Sequence, residues 1–407
     1  MSLREVELLT TKNLFTMKNF NAKKKLPLPL PLALVSVVLL ASQACDKTDP
    51  AILSAPEPVV TQGFTPRSVA RMLSEIPLSI DQVKEVWDGV NASSANGYDE
   101  EYTFRDMFAY PGSGLGDERL GTRSAVEYSE PLRDMVSMHL GESVATRSSG
   151  LIGDLSASDL QIYWPYSEQW DGKAMPVITF RPELNLESNV GYMREVLPNG
   201  QAIIKEIMVD EHFAMSHPVW VVGWNEDAGA MTPQMAAKLR PEPVVTRATS
   251  DFKTLRLKEF KVHRQYDSWL AGGSEFFIKL GSLKAFTADI VSDLSKYTPE
   301  VTDLMIKVKR GQIGSVLRYN TVIVSEWSGQ LTECAFLINE DDGGKVTTWK
   351  SSGKVTIKSK TYGFDVEIPY RRNDDIVWRG KLTANYLEKN SNIPNRFGDV
   401  SITFIFN

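Results

Sequence analysis

From Leu255 onward, apolar residues recur at every second position. Phe364, Val366 and Ile368 alternate with Asp365 and Glu367, and Val400, Ile402, Phe404 and Phe406 alternate with Ser401 and Thr403. Val355 and Ile357 stand between Lys354, Thr356 and Lys358. Successive side chains on a strand point to opposite faces, so this period predicts antiparallel strands with one buried and one wet face, packed as a sandwich. Gly343-Gly344, Gly353, Asn373-Asp374 and Gly398 supply the turns.

The period is different upstream. Thr65-Pro66 is a helix start, and Val69, Met72, Leu73 and Ile76 follow at helical spacing. Ser79 with Gln82 predicts a capping box for a second helix, whose Ile80, Val83, Trp87 and Val90 share a face before Asn91 to Gly97 stop it. From Asp159 come short strands: Gln161 to Trp164, Val177 to Phe180, Ile203-Ile204, Ile207 to Val209, and Pro218 to Val222. The expected fold is α+β. A small N-terminal helical and mixed region (65–228) leads through a Pro-rich linker (229–254) to a mainly antiparallel region ending in a β-sandwich (255–407).

The first 44 residues read as an address. Lys18, Lys23, Lys24 and Lys25 precede an apolar run, Leu26 to Ala41, and then Ser42-Gln43-Ala44-Cys45. A basic segment, a short apolar segment and small residues before a cut form the signal-peptide pattern. The run is 16 residues long and interrupted by Pro27, Pro29 and Pro31, too short and broken for a membrane span. Cleavage before Cys45 leaves that thiol to take lipid, which makes residues 45–64 a tether. Met17 offers a more ordinary start, so residues 1–16 read as a misassigned extension.

Charge supports this address. The chain carries −6, and removing residues 1–44 takes six basic and two acidic residues, leaving −10. An acidic mature chain with no basic run disfavours nucleic acid as a partner. Its expected contacts are the membrane, through the lipid, and a glycan or protein ligand. Only Cys334 then remains as a free thiol, in an apolar run that predicts burial.

Candidate chemistry is sparse. Glu340-Asp341-Asp342 and Asn373-Asp374-Asp375 fall at strand ends, and calcium takes about six to eight oxygen ligands, which carboxylates from several strand ends can supply. The layout is similar to calcium-binding sandwich modules such as C2 domains. The metal candidates are therefore Glu340, Asp341, Asp342, Asp374 and Asp375, against the alternative of ordinary solvated turns. No cofactor is required, and calcium is the one considered. Tyr163, Trp164, Tyr166 and Trp170 offer flat faces for a sugar or partner, with core packing the favoured alternative. His212 and His217 are not spaced as H-E-x-x-H, and Gly112 to Gly116 matches neither a phosphate loop nor a nucleophile elbow.

The Asn91–Tyr102, Asp159–Pro165, Pro218–Asp227 and Leu331–Gly344 stretches together resemble uncharacterised lipoproteins of Bacteroidetes-type bacteria. The resemblance covers most of the mature chain and implies no activity. In such bacteria an acidic stretch after the lipidated cysteine accompanies surface display, and Asp46 and Asp49 follow Cys45 here. The expectation is a lipid-anchored cell-envelope protein of the outer membrane with a binding or structural role. Two alternatives stay open: an envelope hydrolase whose site assembles from distant residues, and a structural subunit of a surface assembly.

Overall fold

The computed structural model describes residues 64–109, 128–141, 150–226, 229–239 and 252–407. The lipidation candidate Cys45, the tether and the glycine-rich 112–116 loop lie outside them.

Two helices open the described chain, α1 (Pro66–Glu75) and α2 (Ile80–Ala95). The Thr65 and Ser79 side chains cap them, and Gln82 completes the box on α2 by accepting from the Ser79 backbone N–H at 2.8 Å. Then come β1 (Glu101–Thr103), α3 (Phe104–Phe108), α4 (Leu132–His139), α5 (Leu151–Ala157) and β2 (Leu160–Tyr163). They are followed by β3 (Val177–Phe180), β4 (Ser188–Val196), β5 (Ala202–Asp210), α6 (Glu211–Ala214) and β6 (Val219–Trp224). The six strands form one sheet in the order β1-β2-β6-β3-β4-β5, antiparallel except where β3 runs parallel to β6. Among the described residues β5 has no neighbour on its outer edge.

Strand β6 shows why this sheet has no clean alternation. Trp220 and Val222 face the helices, packing with Val69, Leu73, Val83 and Ile178. Val219 and Val221 face the other way, with Tyr163, Val177, Trp269 and Leu270. A strand covered on both faces is apolar throughout, so its sequence is a continuous run.

The remaining elements are α7 (Pro233–Leu239), β7 (Phe252–Val262), β8 (Ser274–Ser282), β9 (Glu300–Val308), β10 (Leu317–Ser328) and β11 (Leu331–Glu340). The chain ends with β12 (Val346–Ile357), β13 (Lys360–Arg371), β14 (Asp375–Thr383), α8 (Ala384–Lys389), β15 (Pro394–Phe397) and β16 (Val400–Phe406). A four-stranded sheet, β10-β7-β16-β15, faces a sheet ordered β13-β12-β11-β8-β9. Their inner faces share one core that includes Leu257, Phe260, Phe276, Trp327, Phe336 and Phe404. The fold is α+β, with the expected antiparallel sandwich at the C-terminal side.

The second sheet is not flat. Strand β11 pairs with β14 along one edge, from Glu333 to Glu340, and divides its other edge between β8, from Ala335 to Glu340, and β12, at Leu331 and Glu333. The β12–β13 hairpin leaves this edge and covers the sheet's outer surface, where Val366 and Ile368 pack on Ala335 and Leu337. Gly281 permits the approach, because a Cβ there would lie 2.5 Å from Val366 Cγ2. Strand β13 is an outer edge of the sheet, with Asp365, Glu367 and Pro369 exposed.

The stretch expected as a linker, 229–254, contains a helix and the start of a strand. Its α7 buries Met235 against Tyr98 and Met305, while Tyr98 Oη donates to the Ala230 carbonyl at 2.8 Å. Pro233 begins the helix, the position at which a missing N–H costs nothing, while Pro241 and Pro243 lie outside the described residues.

Candidate metal centre

The loop between β7 and β8 carries the functional candidates. One end holds Trp269 and Leu270 beneath the first sheet, with the Trp269 Nε1–H donating to the Glu187 carbonyl at 2.9 Å. The Ser268 N–H donates to Asn185 Oδ1 at 3.2 Å. Gly272 adopts a φ of +104°, a conformation that favours glycine, and the Gly273 N–H donates to Asp99 Oδ2 at 2.8 Å. The loop therefore joins the first sheet to the sandwich.

Asp267 stands in the same loop. Register does the rest of the assembly: Glu340, at the end of β11, lies opposite Phe276 of β8, and the Asp341 N–H donates to the Glu275 carbonyl at 3.0 Å. The Asp267, Glu275 and Glu340 carboxylates thereby meet, with one oxygen from each within 4.8 Å of the others. Glu340 is wholly buried, and Glu275 and Asp267 are 7% and 9% exposed.

Around this triad runs a seam of paired charges. Lys307 contacts Glu275 and lies 3.5 Å from Asp99 Oδ2. Lys309 Nζ donates to Glu100 at 2.5 Å. Arg310 grips Glu211 through Nε at 2.6 Å and Nη2 at 3.1 Å, while its Nη1 donates to the Asp267 carbonyl at 2.7 Å. Tyr166 Oη also donates to Glu211, at 2.7 Å.

The triad itself lacks such satisfaction. Among the described residues no N–H or hydroxyl donates to either carboxylate oxygen of Glu340 or to Asp267 Oδ2. Burial, followed by the adjacent Asp267 carboxyl and the fields of Asp342 and Asp375, pushes the Glu340 carboxyl up to about 11. Two carboxyls in contact attract only if a proton or a cation lies between them.

Of the predicted metal residues, only Glu340 belongs to the triad. Asp341 and Asp374 form a neighbouring pair, each with one oxygen engaged by donors. Asp374 Oδ2 accepts from Asn339 Nδ2 at 2.7 Å and from the Arg371 N–H at 2.8 Å, and Asp341 Oδ1 accepts from the Gly343 N–H at 2.8 Å. Burial and Asp341 raise the Asp374 carboxyl to about 7. Asp342 and Asp375 are exposed, with Asp375 opposite Glu340 in the ladder. Partial burial and then Asp267 raise Asp342 to about 6, which sets it beside the triad as an outer acid. Asp267 and Glu275 escaped sequence reading, although a glutamate inside Ser-Glu-Phe-Phe-Ile is an available signal of a buried charge.

The aromatic candidates are packing residues. Trp164 is 1% exposed, with ring centroids 5.5 Å from Trp170 and 5.9 Å from Trp220. Tyr163 is buried, and Tyr166 and Trp170 are half-buried with their polar atoms engaged, so Tyr163 and Trp164 offer no open face to a sugar. His217 stacks on Phe213 at 4.3 Å with Nδ1 3.0 Å from Ser216 Oγ. Cys334 is fully buried, and burial pushes its thiol well up. A polar cleft of about 230 Å³ opens near the seam, lined by Ser94, Tyr98, Gln234, Lys309, Arg318 and Tyr319. It is smaller than sites for drug-sized ligands, which run from roughly 300 Å³ upward.

Among the described residues, no helix is long and apolar enough to cross a membrane. No protein-family model matches this chain, and neither the curated proteins nor the solved structures contain a match.

Proposed function

We infer that this chain is a lipid-anchored protein of the bacterial cell envelope that acts by binding. The observation that carries the reading is the run from Lys18 to Cys45, in which basic, apolar and small residues end on a cysteine. Its resemblance to Bacteroidetes-type lipoproteins and the −10 charge of the remaining chain support the same reading.

Binding is favoured over hydrolysis by the state of the nucleophile candidates. The Cys334 thiol is held neutral in the sandwich core, and His217 is occupied by Phe213 and Ser216. A protein is favoured over a glycan as ligand. Trp164, the central ring of the aromatic cluster, is packed inside, whereas the open edge strand β5 exposes Ile203 and Met208. A free strand edge offers main-chain hydrogen bonds, and its side chains supply specificity.

The anchor is tested by metabolic labelling with an alkynyl fatty acid and detergent-phase partitioning. Wild type takes label and enters the detergent phase; Cys45→Ser does neither. Label retained in Cys45→Ser overturns the anchor. For binding, crosslinking on intact membranes captures a stoichiometric neighbour that is lost in Ile203→Lys/Met208→Lys while the anchor is kept. No neighbour, or one indifferent to both substitutions, overturns the proposed surface.

A further inference from the structure

The geometry points to a divalent-cation site formed by Asp267, Glu275 and Glu340, of the oxygen-only type suited to calcium, that fixes the β7–β8 loop to the sandwich. The inference is independent of how the chain reaches the envelope.

Convergence alone does not carry it, because acidic residues gather at many strand ends without a ligand. Glu340 supplies the second observation. It is wholly buried, aimed into the cluster, and among the described residues no N–H or hydroxyl donates to either oxygen, its polar neighbour being the Asp267 carboxyl. Buried carboxylates elsewhere in the same seam are matched: Glu100 by Lys309, and Asp99 by Lys307 and the Gly273 N–H. A buried carboxylate left ionised and unmatched costs several kcal/mol in order of magnitude, so Glu340 holds either a proton or a cation.

The nearest cations are already committed. Lys307 is shared between Glu275 and Asp99, and Arg310 spends its guanidinium on Glu211 and the Asp267 carbonyl. Once Glu340 gives up its proton to an incoming cation, three carboxylates with one shared ammonium present a net negative centre to it.

The donor set selects the ion class. Among the described residues no histidine or cysteine joins the three carboxylates, which disfavours zinc. Magnesium keeps most of its water and is usually held through one or two carboxylates, whereas calcium accepts several protein oxygens in flexible geometry. Exposed Asp342, beside Asp267, places a further negative charge on the outer side. Asp267 comes from the loop that seats Trp269 under the first sheet, while Glu275 and Glu340 come from paired strands of the sandwich. An ion bridging them pins that loop.

The test uses the full chain, purified in detergent, stripped with EDTA and dialysed free of chelator. Calcium chloride is added during isothermal titration calorimetry and thermal melts. The expected result is a saturable heat for about one ion per chain and a rise in Tm of a few degrees at about one hundred times Kd. Both are lost in Glu340→Gln and in Asp267→Asn, and both are kept in Asp342→Asn/Asp375→Asn. Glu340→Gln is nearly isosteric, and its Tm in EDTA should equal or exceed that of wild type, which separates lost binding from lost folding. Absence of heat and Tm shift at millimolar calcium overturns the site in favour of carboxyls sharing a proton. A shift retained in Glu340→Gln and Asp267→Asn also overturns it, returning calcium to the exposed turns.

Discussion

The backbone N–H of Gly273 donates to Oδ2 of Asp99 at 2.8 Å, across 174 positions of sequence. The bond holds the β7–β8 loop against the segment leading into β1, and it constrains its neighbour: a Cβ on Gly272 would lie 2.4 Å from the same oxygen. Gly272→Ala therefore meets both a clash and an unfavourable positive φ, and should cost about 1–3 kcal/mol. Asp99→Ala, which leaves the Gly273 N–H buried, should cost a similar ~1–3 kcal/mol. Urea denaturation of both variants checks the pair. Wild-type stability in either one would show that the loop is held elsewhere.

Glu100 gives a pH dependence with a definite sign. It is buried beside Asp99, has Glu168 nearby, and is compensated in part by Lys309. Burial, then Asp99, raises its carboxyl from 4.5 to about 7. The unfolded chain releases this proton first, so the contribution is intact below pH 4.5 and is lost as pH rises to about 7. The slope is at most about 1.4 kcal/mol per pH unit within that window. Stability measured from pH 4.5 to 8 should fall less steeply in Glu100→Gln than in wild type. Parallel curves would remove Glu100 from the account.

The approach of Val366 to Gly281 can be tested by compensation. Gly281→Ala overfills the space under the hairpin and should destabilise by about 1–3 kcal/mol. Val366→Ala opens that space, so the double variant should be more stable than the two single losses combined predict. Strict additivity would mean that the hairpin simply lifts away.

Trp164 sits between Trp170 and Trp220 at the centre of the helix-covered face. Trp164→Ala should cost about 3–5 kcal/mol, as expected for truncating a large buried aromatic. Chemical denaturation checks this. A loss below 1 kcal/mol would show that the cluster does not depend on that ring.

The sandwich was legible in the sequence because β13 exposes one face and β16 alternates its core residues with Ser401 and Thr403. Period-two alternation records that environment directly, and Phe364, Val366, Ile368, Val400, Ile402 and Phe404 are all buried. The first sheet was harder to read because β6 is covered on both sides, which erases alternation, and because α7 lay hidden among prolines. Of the metal candidates, Glu340 was found from its acidic turn. Asp267 and Glu275 were not, because what joins them to Glu340 is the register of β8 against β11 and the path of one loop. No local spacing encodes either. The aromatic segment showed the opposite limit: Tyr163 and Trp164 occur in the right composition for a sugar platform, but composition carries no information about exposure.

The outer edge of β13 bears on life at a crowded surface. Chains tethered through Cys45 would share a two-dimensional layer in which neighbours meet far more often than in bulk, and an open strand edge is then an invitation to zip copies together. Along β13, Asp365 and Glu367 are exposed and Glu367 is paired with Lys350, while Pro369 has no N–H to offer. Charge and a missing donor both discourage an incoming strand. If the proposed anchor holds, neighbouring copies would gain no strand pairing through β13, and dense packing would leave the sandwich edges separate.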